Sequence, residues 1–441
     1  MTGARWRQLW PRAAGLIVLS AVAAAVATER ASKQRIGTDF HVFWQAGYDF
    51  AHGLPLYQNL PGSRHFLYPP FAAQVFQLLG LIPLKVAAWL FYLASVGLVL
   101  VAVGLSRDIV RRIDPTRASA HLPLVLAVVF SANFILNNLN MLQVNLLIFV
   151  LCLLGIRAFA QQREVAGSGW VVAATAMKLT PVFFVFWALI RGTRRSLAGV
   201  AGFGLLCVIL PMIQRGFHQG LTDLTTYYQT FLHQFASGRV IAHYTNQNLA
   251  AMVYRAVVPG TGGQGETYNY VYLPSLETAA PLIYQVAALV VLAAFLAHLV
   301  SLRVRHRPFS ALEISSVFLA SHLLSGLTWK AHLVTLLFVF YAFFVLDPRD
   351  LGRGGRVALG LAWAGIVAIG IGRDLMGDRL HHYVGGYSVI VWVMLLLFAL
   401  SVVWSQRKTS EVRGEESSSS RPSDQRAPCS TNGPGLLSPS D

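Results

Sequence analysis

Long apolar runs recur along almost the whole chain, near residues 9–27, 86–106, 120–137, 142–158, 168–190, 197–213, 279–302, 309–328, 331–346, 356–372 and 387–405. Their lengths approach the roughly 20 residues that a helix needs to cross the apolar core of a bilayer. Short basic clusters separate them: Arg107, Arg111, Arg112 and Arg117; Arg157 and Arg163; Arg191, Arg194 and Arg195; Arg303, Arg305 and Arg307; Arg349, Arg353 and Arg356; Arg407 and Lys408. Only 12% of the residues are charged, against about a quarter in a soluble domain. The net charge of +16 is thus spread as cytoplasmic loops spread it under the positive-inside rule. No basic face separate from the membrane flanks points to nucleic acid. The expected fold is an all-α polytopic integral membrane protein with about ten transmembrane helices. Residues 1–405 form its membrane domain. The Ser-rich segment 406–441, too poor in apolar residues to fold, is its disordered cytoplasmic tail.

Residues 1–28 read as a signal peptide or as an uncleaved first span. The length of the Leu9–Ala27 run favours the span. With a cytoplasmic N-terminus, one run conflicts with the charge rule: 168–190 has basic flanks on both sides. "MKLTP", Met177 to Pro181, interrupts it near the middle, and Pro181 removes a backbone donor. Two half-helices entering from and returning to the cytoplasmic side restore agreement for the later clusters; the competing reading is one kinked span with a weaker charge bias. The external segments are then 28–85, the turn at 137–141, the long loop 214–278, the turn near 329–331 and the loop 373–386. The three cysteines show no metal-ligand or disulfide spacing.

Polar residues in these external segments need explaining. "GTDFHVFWQAGYDFAHGLPLY", Gly37 to Tyr57, is aromatic and holds Asp39, His41, Asp49 and His52. Asp39 reads either as a helix N-cap or as a general base just outside the bilayer; Asp49 reads as a solvated or Arg-paired residue. In "NFILNNLNMLQVN", Gln143 and Asn145 begin a span and either bridge helices or bind sugar hydroxyls. In "HYTNQNLAAMVYR", Asn246, Gln247 and Asn248 precede a helix ending in Arg255; a capped loop helix and sugar or phosphate recognition both fit. "SGLTWKAHLV" places Trp329, Lys330 and His332 at a turn, as structural groups or as phosphate ligands.

Six motifs in order over roughly residues 36–345 resemble glycosyltransferase family 87, polyprenyl-phosphate-sugar-dependent mannosyltransferases of the GT-C superfamily. They are "DFHVFWQAGYDFAHGLPLY", "FLYPPF", "LQVNLL", "MKLTP" followed by a basic turn, "NQNL" and "TWKAHLV". The chain departs from the family at Leu142, usually Gly; at Ala331, where many relatives have a first histidine, so that no role for it carries over; and in the ending of "NQNL". The resemblance implies a GT-C-type fold in the bacterial plasma membrane, with both termini cytoplasmic. It also implies a first external loop lying on the membrane as helices near 42–52 and 70–82, with Asp39 as its essential acid. The expected activity is transfer of a hexose, mannose by the resemblance, from a polyprenyl-phosphate donor to a glycolipid, glycan or protein hydroxyl on the external face. Asp39 would deprotonate the acceptor in one inverting displacement. Lys178, His332, Arg255 and Lys330 are candidate donor-phosphate ligands, and Gln143, Asn145, Asn246, Gln247 and Asn248 candidate sugar ligands. No DxD pattern or Gly-rich phosphate loop is found, so no metal or cofactor is expected. A polyprenol-linked sugar flippase or transporter and an envelope polysaccharide ligase or polymerase are the competing classes.

Overall fold

The computed structural model describes residues 20–35, 38–57, 65–114, 120–236, 238–259 and 273–406. Most of the expected first span and nearly all of the expected tail lie outside these residues. The described chain of residues 20–405 is helical, and the number of spanning helices corrects the expectation of about ten. Among the described residues four helical stretches are long and apolar enough to cross a membrane: Leu84–Ile113, Leu122–Met141, Arg194–Arg215 and Pro274–Val304. Arg353–Gly370 and Arg373–Gly386 make a fifth if this pair, bent by 103°, is one span.

The other apolar runs form shorter helices, among them Asn145–Ala160, Val182–Arg191, Ala311–Leu324 and Val389–Ser405. At about 1.5 Å per residue these fall short of a bilayer core roughly 30 Å thick. Hydropathy registers apolarity, whether lipid or protein covers it. In the helix Ala311–Leu324 every side chain from Ala311 to Leu323 is buried, and in Leu336–Phe344 every one from Leu336 to Phe343. A helix enclosed by protein on all sides is a core helix.

The helices that position the site are α1 (Asp39–Ala51), α2 (Pro70–Gly80), α3 (Leu84–Ile113), α4 (Leu122–Met141), α5 (Asn145–Ala160), α6 (Glu164–Met177), α7 (Val182–Arg191), α8 (Arg194–Arg215), α9 (Phe217–Tyr227), α10 (Leu249–Val257), α11 (Ala280–Val304) and α12 (Ala311–Leu324). α1 and α2 form a pair. Pro69-Pro70 starts α2, as proline does in a first turn that lacks backbone partners anyway. Phe40, Phe43, Ala46, Gly47 and Phe50 are buried on α1, and Ala72, Ala73, Phe76 and Gly80 on α2. The helices touch backbone to backbone at Gly47 and Gly80, where an added Cβ would lie 2.2 Å from Phe76 O and from Tyr48 N respectively. Arg215, at the end of α8, pins α1 from below. It pairs with Asp223 at 2.7 Å and donates to the carbonyls of Asp49, Phe50 and Leu54.

α6 and α7 are the two halves of the run broken at "MKLTP". The Glu164 carboxylate accepts from the backbone N–H and the hydroxyl of Thr193 at 2.8 and 2.6 Å. Ser168 and Ser196 are hydrogen-bonded at 3.0 Å. A continuous helix would separate residues 164 and 193 by about 40 Å. The two halves therefore fold back so that their outer ends meet. The basic clusters gather at that end: Arg157 pairs with Asp108 at 2.7 Å, Arg191 donates to Arg307 O at 2.6 Å, and Arg303 donates to Arg191 O at 3.1 Å. Arg191 also forms a buried ion pair with Glu313 at 2.7 Å.

Candidate active site

The break in the hairpin points away from that basic end, at a distance set by the 14 residues of α6, about 21 Å. Lys178 has left the helix: its φ of −160° and ψ of 131° are extended. Pro181 cannot donate to continue the helix. The freed backbone is satisfied locally, by Phe184 N–H on Pro181 O at 2.8 Å and by the Ser321 hydroxyl of α12 on Thr180 O at 2.7 Å. Non-helical backbone at this depth requires such protein cover.

Lys178 faces a cavity of about 550 Å³, within the range of roughly 300–1,000 Å³ typical of small-molecule sites. Asp39, Gln143, Lys178 and His332 are among its polar lining residues, and Phe43, Leu67, Val182, Phe183, Phe231 and Leu232 among its apolar ones. Asp39 is the first residue of α1 and half-buried; Thr38 holds the N-cap position. The Asp39 carboxylate accepts from Gln143 Nε2 at 2.6 Å.

Gln143 reaches Asp39 because the chain reverses between α4 and α5. Leu142 has φ 49° and ψ 48°, the left-handed region, and Gln143 N–H returns to Asn138 O at 3.1 Å. This closure is of the kind that commonly ends helices and favours glycine, which accounts for glycine being usual there in the resembling family. Leu142 is fully buried, so the chain exchanges backbone ease for a core side chain. Three residues after Leu142, Asn145 Oδ1 accepts from Lys178 Nζ at 2.7 Å.

Lys178 Nζ also lies 2.9 Å from His332 Nε2 and 5.7 Å from the centre of the Tyr68 ring. His332 Nδ1 sits between Leu327 O, at 3.1 Å, and Trp329 N–H, at 3.3 Å. With Nδ1 protonated toward the shorter contact, Nε2 is left to accept from the lysine ammonium. Asn138 holds this turn from the far side, donating to Ala331 O at 3.1 Å.

A family model, glycosyltransferase family 87, matches residues 66–326, more than half of the 441 residues. The chain belongs to glycosyltransferase family 87. No curated protein matches it. In this family 87 chain the matched stretch includes Tyr68, Gln143, Asn145 and Lys178. Asp39 and His332 lie beyond its two ends and meet it in the cavity.

The other expected ligands do not line this cavity. Arg255 is buried with its guanidinium on Ala242 O, His243 O, Asn246 O and the Ser388 hydroxyl, at 2.6–3.3 Å. Asn246 donates to Ile241 O and accepts from Thr328 N–H. Gln247 donates to Tyr244 O and Gly385 O. Asn248 is the N-cap of α10, accepting from Ala251 N–H, and donates to Ser325 O. A loop that leaves the helical scaffold must satisfy its own carbonyls and N–H groups, and these side chains do so. Lys330 is absent from the cavity wall and lies among the charges of Arg373 and Asp374. Asp49 faces Gln45, its hydrogen-bond donor at 2.8 Å, and the charge of Arg215.

Sequence reasoning missed Tyr68, His65 and Phe231, all on the cavity wall. Tyr68 stood within the quoted "FLYPPF" motif, and its signal was there to be read: a tyrosine beside Pro-Pro in an external loop.

Proposed function

We propose that this family 87 chain transfers a hexose, mannose as the family resemblance suggests, from a polyprenyl-phosphate sugar to an acceptor hydroxyl of the cell envelope. One observation carries the reading: a carboxylate held by an amide and a hydrogen-bonded lysine–histidine pair line the same largely apolar cavity. The donor has a matching division. Its phosphate needs positive charge as the sugar departs, and its prenyl chain needs apolar walls. Lys178 and His332 meet the developing dianion, and preorganised charge at that point lowers the barrier most. Asp39 takes the proton from the acceptor hydroxyl as its oxygen attacks the anomeric carbon. Gln143 keeps that carboxylate oriented. The C–O bond to phosphate breaks as the new one forms, so configuration inverts.

The positive-inside rule supports a cytoplasmic basic end, and with that orientation the cavity would lie in the external half of a bacterial plasma membrane. The test is a transfer assay with purified protein and radiolabelled polyprenyl-phosphate-mannose. Labelled glycolipid or glycan from wild type and none from Asp39→Asn is the expected result. Donor binding without transfer in wild type would instead mark a carrier of lipid-linked sugars, and turnover only with a pyrophosphate-linked donor would mark an envelope polymerase or ligase.

A further inference from the structure

A second chamber of about 330 Å³ opens beside the catalytic cavity. The two share His65, Leu67, Phe231, Ile241 and Leu327 as common walls. The smaller one differs in chemistry. Neither Lys178 nor His332 lines it, nor do the apolar residues Val182 and Phe183. It has instead Tyr57, Thr230, Gln234 and Arg239, a phenol, a hydroxyl, an amide and a guanidinium set among aromatic rings.

Its inner wall is built by an unusual piece of backbone. Residues Tyr228–Leu232 form a π-helix, a conformation found in well under about 1% of residues and often at functional sites. Thr230 faces the small chamber, Phe231 both chambers, and Leu232 the catalytic cavity. Successive residues of one wide turn thus serve two rooms. Tyr57 ties the rooms together from the other side, its hydroxyl donating to Tyr68 O at 2.8 Å while the Tyr68 ring lies under Lys178. Arg239 is exposed and both its backbone and its guanidinium donate to Gln234, so the two side chains present one polar edge.

We propose that this chamber is the acceptor subsite and that its ligand is a glycan, held by hydrogen bonds to sugar hydroxyls from Thr230, Gln234 and Arg239 and by ring contact with Tyr57 and Phe231. The proposal rests on the transfer reading above and names the acceptor class. A sugar offers alternating apolar faces and hydroxyl edges, which aromatic walls and a few planar polar groups match. A simple fatty alcohol has no use for the polar edge. The shared wall lets a glycan seated here extend one hydroxyl past Phe231 toward Asp39.

The experiment uses the full chain in lipid nanodiscs with octyl mannoside as the glycan probe and dodecanol as the alcohol without a sugar. In Gln234→Leu and Arg239→Met the KM for octyl mannoside should rise about tenfold, the size of one or two lost hydrogen bonds, with donor affinity unchanged. Arg239→Lys should recover part of the loss. Saturation-transfer NMR of octyl mannoside on the Asp39→Asn protein should show binding that Arg239→Met weakens. This readout needs no turnover, so it fails or succeeds separately from the transfer reading. An unchanged KM in both variants, donor affinity falling in step with the acceptor's, or dodecanol serving as well as octyl mannoside would each overturn the assignment.

Discussion

Two stretches of this chain look alike on paper and do opposite work. "LQVN" with the nearby "MKLTP", and "NQNL" with the following Arg255, each set amides close to a cation. In the first, the amides face charged side chains: Gln143 holds Asp39 across 104 residues, and Asn145 holds Lys178 across 33. In the second, they face backbone: Asn246, Gln247 and Asn248 tie their loop to Thr328, Gly385 and Ser325, and Arg255 gathers the carbonyls that the loop leaves over. The difference lies in what each stretch lacks. "LQVN" starts a helix at the edge of a cavity, so its side chains are available to hold ionisable groups. "NQNL" follows irregular chain, where unsatisfied backbone would be costly. An amide is recruited by whichever need is nearer.

The sharpest way to break this contrast is at Asp39. Asp39→Asn keeps the shape and the partner Gln143 and removes the base, so transfer should fall about 10²–10⁴-fold while the protein inserts and folds as wild type. Near-normal turnover, measured on purified variant with saturating donor, would remove Asp39 from the chemistry. Next in size is the cation. Lys178→Gln should slow transfer on the order of 10²-fold and weaken donor binding, with Lys178→Arg restoring only part because its donors are differently arranged. His332→Ala should cost turnover clearly and Lys330→Ala little, as only the first reaches the cavity; the reverse ranking in parallel assays would reassign the phosphate ligand.

Arg255 tests the other region. Arg255→Met leaves several buried carbonyls without a donor, so stability should fall by about 3 kcal/mol, read as a lower melting temperature. Turnover per folded molecule should stay near that of wild type. A stable Arg255→Met protein with no activity would mean that the loop does bind substrate.

The smallest effect concerns Asp49, in α1 behind the site. Burial raises its carboxyl above the ordinary range, although Gln45, Arg215 and His52 pull it down. The folded state therefore holds this proton more tightly than the unfolded chain, whose carboxyl titrates near about 3.9. The associated stability is full below that value and is lost as pH rises through the higher folded value. Asp49→Asn should thus gain on wild type as pH rises above about 4 in thermal-melting measurements. Asp223, raised by burial beside the same Arg215, keeps part of the dependence in the variant. A variant that loses ground over this range would show that the Arg215 attraction outweighs burial.

Much of this protein was legible in one dimension. The apolar runs and sparse charge establish a helical membrane protein, the Lys-and-Pro interruption marks the broken hairpin, and the aromatic first loop and Pro-Pro start mark α1 and α2. Each is a local property, decided by side-chain polarity or by a missing backbone donor. Basic flanks on both sides of one run suggested two half-helices, and the outer ends of that run do meet at Glu164 and Thr193. The number of spanning helices was not legible, because an apolar run has the same hydropathy against lipid as inside a bundle, and α12 is covered by protein. Nor were the amides' roles: Gln143 and Asn246 have the same chemistry, and only the tertiary structure brings a carboxylate to one and a backbone N–H to the other. Partners far apart in sequence are chosen by packing, and packing is what the order of residues leaves implicit.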